Sequence, residues 1–242
     1  PSVLSWSCCP RAASDKTERG IAVFMRRKNH MAPARIILIG FALLILAGAL
    51  LLTLPISTRD GQGAAFFDAL FTATSATCVT GLVIHDTALF WSPFGQGVIL
   101  LLIQVGGMGV VTMAVAIFMF SGRKIGLKQR WVMQESISAP QVGGIVRMTG
   151  FILKTAFLIE AIGALLLALR FCPQFGLGKG IWYGIFHAVS AFCNAGFDLM
   201  GETGAFSSLT GYVGDPLVNL VICLLIVVGG LGFLTWHDVA AH

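Results

Sequence analysis

Between Arg35 and Arg59 lie twenty-three consecutive residues without a single charge, Ile36 to Thr58, opening IILIGFALLILAGALLLTLP. An apolar helix needs about 20 such residues to cross the hydrocarbon of a bilayer, so this run reads as a membrane span. A second charge-free stretch between Asp86 and Arg123 places a span over about 94–120, and a fourth runs from Pro216 to His237. The third, about 148–171, carries Lys154, Glu160 and Arg170 and is the least apolar of the set. With 56% apolar and 11% charged residues the chain is excluded as a soluble enzyme, a disordered chain or a nucleic-acid binder. The expected class is an all-α integral membrane protein.

The basic residues set the expected orientation. Of 16 Lys and Arg, seven precede or begin the first span and six fall between Arg123 and Lys154, leaving Arg59, Arg170 and Lys179 for the opposite side. The positive-inside rule then makes the N-terminus and the 121–147 loop cytoplasmic, with 59–93 and 172–215 facing outward. Residues 1–34 read as a disordered cytoplasmic segment, with a natural start at Met25 or Met31 or an extension of 24 residues before it. Six cysteines without a CxxC spacing or a histidine partner imply neither a disulfide framework nor a zinc site.

The chain also repeats itself. Phe71–Leu82 (FTATSATCVTGL) matches Phe186–Phe197 (FHAVSAFCNAGF) at an offset of 115, with six of twelve residues identical. Val105–Thr112 (VGGMGVVT) matches Val228–Thr235 (VGGLGFLT) at an offset of 123, so eight residues are inserted between the two matches, within 198–216. Each unit has a span, a short apolar segment (about 65–76 and 181–192), a glycine-containing turn and a second span. Segments of this length read as re-entrant rather than spanning. A half-helix entering from outside aims its carbonyl end at the membrane centre, which favours a cation. The residues that follow, Cys78-Val79-Thr80-Gly81 and Cys193-Asn194-Ala195-Gly196, are the expected ion-binding segments, with main-chain carbonyls as ligands and a Thr80 hydroxyl as a further oxygen. The bland alternative for Gly81 and Gly196 is a helix cap or a tight-turn glycine. Gly106, Gly107 and Gly109, with Gly229, Gly230 and Gly232, read as small-residue packing faces, or as a hinge.

These motifs, ATSATCVTGL with VIHDT and LIQVGGMG, then FHAVSAFCNAGFDL with VVGGLG, resemble the first two membrane–pore–membrane repeats of the Ktr/Trk/HKT potassium transporter superfamily, over about residues 35–235. The Ktr membrane subunit is the nearest in plan. The resemblance implies tandem repeats at 35–120 and 148–242, half of a pseudo-four-fold, ion-channel-like transporter, with the chain ending after the second of four repeats. It further implies potassium uptake through a selectivity filter, with potassium preferred because residue 81 is Gly rather than Ser, and sodium coupling as an open possibility. No organic cofactor is expected. The implied partners are membrane lipid, a second copy in a homodimer, and a cytosolic Rossmann-type nucleotide-binding regulatory subunit at the basic loop; no nucleic acid is expected.

Other residues have plainer readings. Glu160 is expected to pair inside the bundle, with Gln104 as one partner, and His187 to pack with a local hydrogen bond. Asp68 suits the first turn of the first short helix, and Asp86, Asp198, Glu202 and Asp215 are outward-facing acids that either concentrate cations or simply form a solvated outer surface. Two rival functions remain: a non-conducting assembly fragment, and an intramembrane hydrolase built on Ser75 or Ser190 with His187.

Overall fold

The computed structural model describes residues 33–109, 145–231 and Thr235. The expected N-terminal segment as far as residue 32, the remainder of the expected second span from 110, the basic loop as far as 144, and Gly232 lie outside the described residues. Within them the structure is helical, with one isolated bridge between Thr58 and Trp91.

Helix α1 covers Pro33–Leu52. It stops short of the charge-free run's end because Pro55 disfavours helical torsions at Leu54, which is extended, and a 3-10 turn, Pro55–Ser57, follows. The short helix α2, Phe66–Thr77, carries Asp68 in its first turn, where a carboxylate faces the positive helix end. Helix α3, Thr87–Phe90, is capped by Asp86. Helix α4, Pro93–Met108, starts with Pro at its first position behind a Ser92 cap that accepts from the Gly95 amide.

The second half begins with α5, Ile145–Phe175, whose 31 residues include Pro173. Only Gly176, at φ 84°, separates it from α6, Leu177–Phe192, a reversal that a residue with a Cβ would resist. This explains why α6 starts four residues before the expected 181. The connection after α6 holds two 3-10 turns, Met200–Glu202 and Ser208–Tyr212, before α7, Pro216–Gly230, capped by Asp215.

Helix α1 packs on α2 and α4, α5 on α6 and α7, and α4 touches α6 across the two halves. The halves reuse one contact. Gly48 of α1 leaves room for the Leu102 side chain of α4, and Gly163 of α5 does the same for Leu225 of α7. These pairs sit at the offsets of 115 and 123 that relate the sequence motifs.

Among the described residues, Thr149–Phe175 is long and apolar enough to cross a membrane, with a mean hydropathy of 2.1, whereas Ile37–Leu52, Pro93–Met108 and Pro216–Gly230 are shorter apolar helices. The distribution of side chains is that of a protein solvated by lipid. Leu38, Leu43, Leu50, Leu101, Leu165, Leu169 and Leu220 are exposed, while Gln104, Glu160, His187 and Ser190 are buried. In water such an arrangement would leave a large apolar surface wet; in hydrocarbon it costs nothing.

Candidate functional site

The two short helices end alike. At the end of α2 the Thr80 amide donates to the Ser75 carbonyl (3.0 Å) and the Val79 amide to Ala76 (3.4 Å); at the end of α6 the Ala195 amide donates to Ser190 (2.7 Å) and the Asn194 amide to Ala191 (3.0 Å). This pair of bonds is the Schellman arrangement, which places the residue after the cap in the left-handed region. Those residues are Val79 at φ 51° and Asn194 at φ 57°. Asn tolerates this conformation, whereas a β-branched Val there is an outlier, and strain of this kind concentrates at functional sites. The cap role that the sequence left open for Gly81 and Gly196 therefore belongs to the residues two positions earlier.

Both glycines have φ 73° and face each other. A Cβ built on Gly196 would meet the Gly81 Cα at 3.5 Å, and one built on Gly81 would lie 2.7 Å from the Ala195 carbonyl oxygen. The expected segments 78–81 and 193–196 are thus brought together. Cys193 and Ala195 are buried, Cys78 and Asn194 exposed. The Thr80 hydroxyl donates to Ser75 Oγ at 2.9 Å, which ties it to α2.

The glycine pairs of α4 and α7 seat these turns. A Cβ at Gly106 would collide with the Thr77 carbonyl, the last residue of α2, and a Cβ at Gly229 with the Phe192 carbonyl, the last residue of α6. Gly107 lies against Cys193 of the other half, whereas Gly230 only approaches the Asn194 side chain. Gly109, at φ 82°, caps α4. Gly106 and Gly229 thus each lie against a short-helix end rather than a neighbouring span.

Polar groups tie the halves. Gln104 Nε2 donates to both oxygens of the buried Glu160, at 2.9 and 3.2 Å, the pairing anticipated from sequence. Trp182 Nε1 donates to Gln96 Oε1 at 2.9 Å. Lys179 holds Glu202 (2.9 Å), with Arg59 at 3.8 Å, and Arg170 pairs with Asp215. The hydrogen bond from Lys179, aided by its charge and that of Arg59, holds the Glu202 carboxyl below its usual value. The bond from Arg170 does the same for Asp215.

These acids therefore have structural partners. Asp198 accepts from the Met200 amide, and Asp86 bonds to three backbone amides. No local sequence pattern signals this use of Asp86.

His187 is buried with both ring nitrogens engaged, Nδ1 with the Tyr183 carbonyl (2.7 Å) and Nε2 with the Leu199 amide (3.3 Å). Ser190 donates to the Phe197 carbonyl (2.6 Å). The residues of the hydrolase alternative are thus engaged elsewhere. A cavity of about 260 Å³ lies behind the second turn, lined by His187, Ser190, Asn194 and Asp198 among others.

A family model described as TrkH, cation transport protein, matches residues 27–242. The chain belongs to this family. It is 43% identical to the potassium/sodium uptake protein NtpJ of Enterococcus hirae over 90% of its own length and 47% of that protein's. It is 47% identical to the Ktr system potassium uptake protein B of Bacillus subtilis, over 87% of its length and 46% of the relative's. A protein B of the same system in Vibrio alginolyticus is 37% identical over 90% and 46%. The chain spans about half the length of the curated relatives it matches. All three are named for ion uptake, so the family is one of membrane transporters and not of enzymes.

Proposed function

We propose that this chain forms part of the membrane pore of a potassium uptake system, in which residues 78–81 and 193–196 contribute main-chain carbonyls to an ion-selective filter. The observation that carries the reading is the doubled backbone pattern. Two helices end in the same cap, each is followed by a left-handed residue and a glycine two positions later, and the glycines meet. Carbonyl oxygens held in such turns replace the hydration shell of a potassium ion without help from side chains, which is why Val79 and Asn194 can differ so much.

The names of the relatives support potassium as cargo, with sodium as a coupled or competing ion. In this reading repeats at 35–120 and 148–242 make half of a pseudo-four-fold pore, crossing the cell membrane several times with a cytoplasmic N-terminus. The basic 121–147 loop faces a cytosolic Rossmann-type nucleotide-binding subunit, and two copies form a homodimer.

The test is complementation of cells lacking potassium uptake. The chain alone and the chain joined to the C-terminal half of the Bacillus subtilis relative are compared. Growth at low potassium from the joined chain supports the reading; no growth from a joined chain that reaches the membrane in normal amount overturns it.

A further inference from the structure

Five residues beyond Gly81 stands Asp86, and five beyond Gly196 stands Gly201, so the two occupy matching places on the strands that leave the turns. They touch. A Cβ on Gly201 would fall within the Asp86 carboxylate, so any other residue there has to displace it. Asp86 Oδ1 accepts from the Ala88 and Leu89 amides at 2.9 and 3.0 Å, fixing the start of α3 in its own half. Oδ2 accepts at 2.8 Å from the amide of Phe206, 120 residues away in the connection after α6 in the other half, where Phe206 is held at φ 56°.

From this geometry we infer that Asp86 is a positioning residue that locks the two exit strands in register and thereby sets the spacing of Gly81 against Gly196. The inference rests on the filter reading above and deepens it. A carboxylate is needed because it accepts hydrogen bonds on both oxygens; an amide of the same shape accepts on one and donates on the other. The bonds are charge-assisted, which makes them stronger than neutral ones. In D86N the amide oxygen retains Ala88 and Leu89 while its NH2 opposes the Phe206 N–H, so the tie between halves is cut and the local cap is kept. In G201A the added methyl displaces the same carboxylate from the opposite side.

The experiment uses the chain joined to the C-terminal half of the Bacillus subtilis relative, and reads two quantities: amide exchange over 199–208, and the rubidium-to-sodium uptake ratio per folded protein. Both variants are expected to raise exchange over 199–208 while leaving 87–90 protected in D86N. Each should lower the uptake ratio about twofold or more, the effect of one partly exposed hydrogen bond lost. The double variant should fall no further than either single one. Raised exchange with an unchanged uptake ratio in both variants overturns the positioning role, as does unchanged exchange. A parent chain that takes up no rubidium overturns the filter reading itself, and is recognised by that control.

Discussion

The two facing glycines are equivalent in sequence and unequal in surroundings, and this inequality yields a quantitative expectation. Replacing either Gly81 or Gly196 by Ala forces a side chain into φ 73°, a left-handed conformation that costs about 1–2 kcal/mol. At Gly196 nothing more is added, since the new Cβ meets the Gly81 Cα at an ordinary 3.5 Å. At Gly81 the Cβ lies 2.7 Å from the Ala195 carbonyl oxygen, and ordinary contact begins at 3.4 Å. The oxygen must therefore retreat by roughly 0.7 Å, the difference of those two distances. Crowding of this kind typically costs a further 1–3 kcal/mol.

The expected losses are thus about 1–2 kcal/mol for Gly196→Ala and about 2–5 kcal/mol for Gly81→Ala. Because the displaced atom is a proposed ion ligand, Gly81→Ala also shifts the rubidium-to-sodium ratio far more than Gly196→Ala. Gly81→Ser, with the same Cβ, raises sodium permeation likewise. Thermal unfolding in detergent and paired isotope uptake, normalised to folded protein, read both effects. Equal losses of stability with equal shifts in ion ratio would refute the reasoning, because they would mean the Ala195 carbonyl is not held against Gly81.

Three further outcomes follow from the same contacts. Ala at Gly106 or Gly229 drives a Cβ into a short-helix carbonyl and is expected to abolish folded protein, whereas Gly97→Ala, in helix α4 with open space around it, should be stabilising by about 0.5–1 kcal/mol; size-exclusion yield and thermal unfolding decide. Glu160→Ala strands the buried Gln104 amide and should destabilise by about 1–3 kcal/mol without changing uptake per folded molecule, while Glu160→Gln retains an acceptor and loses less; loss of uptake in a stable Glu160→Ala protein would assign it to the ion path. The Glu202 carboxyl titrates lower in the folded protein than its usual 4.5, so its contribution is complete above that value and is lost as pH falls through the folded one. Lys179 and Arg59 are exposed enough to keep this below about 1 kcal/mol, read as a fall in amide protection over 200–212 on acidification, after division by the intrinsic exchange rate at each pH, that Glu202→Gln abolishes.

Much of this was legible in the chain before any coordinates. The repeat offsets locate the two short helices because glycine, serine and cysteine recur where a turn must be rebuilt, and the α2 boundaries fall within one residue of those expected. Glu160 and Gln104 were readable because a carboxylate deep in an apolar helix must find a donor. The left-handed Val79 was not: its sequence neighbours favour an extended residue, and the conformation follows from the cap that Ser75 and Ala76 close over it. Gly48 and Gly163 went unnoticed because a lone glycine in an apolar helix shows no partner until the Leu102 and Leu225 side chains are in place. The positioning role of Asp86 is invisible in the sequence, since its decisive bond spans 120 residues and no local pattern encodes it.

The central claim is that main-chain oxygens of 78–81 and 193–196 bind a dehydrated cation. Anomalous diffraction from crystals of the chain joined to the C-terminal half of the Bacillus subtilis relative, soaked in rubidium, tests it most directly. Rubidium peaks beside the carbonyls of both segments, weakened by excess potassium and little affected by equal sodium, are the predicted result; ordered segments with no rubidium between them, or rubidium bound only elsewhere, would contradict it.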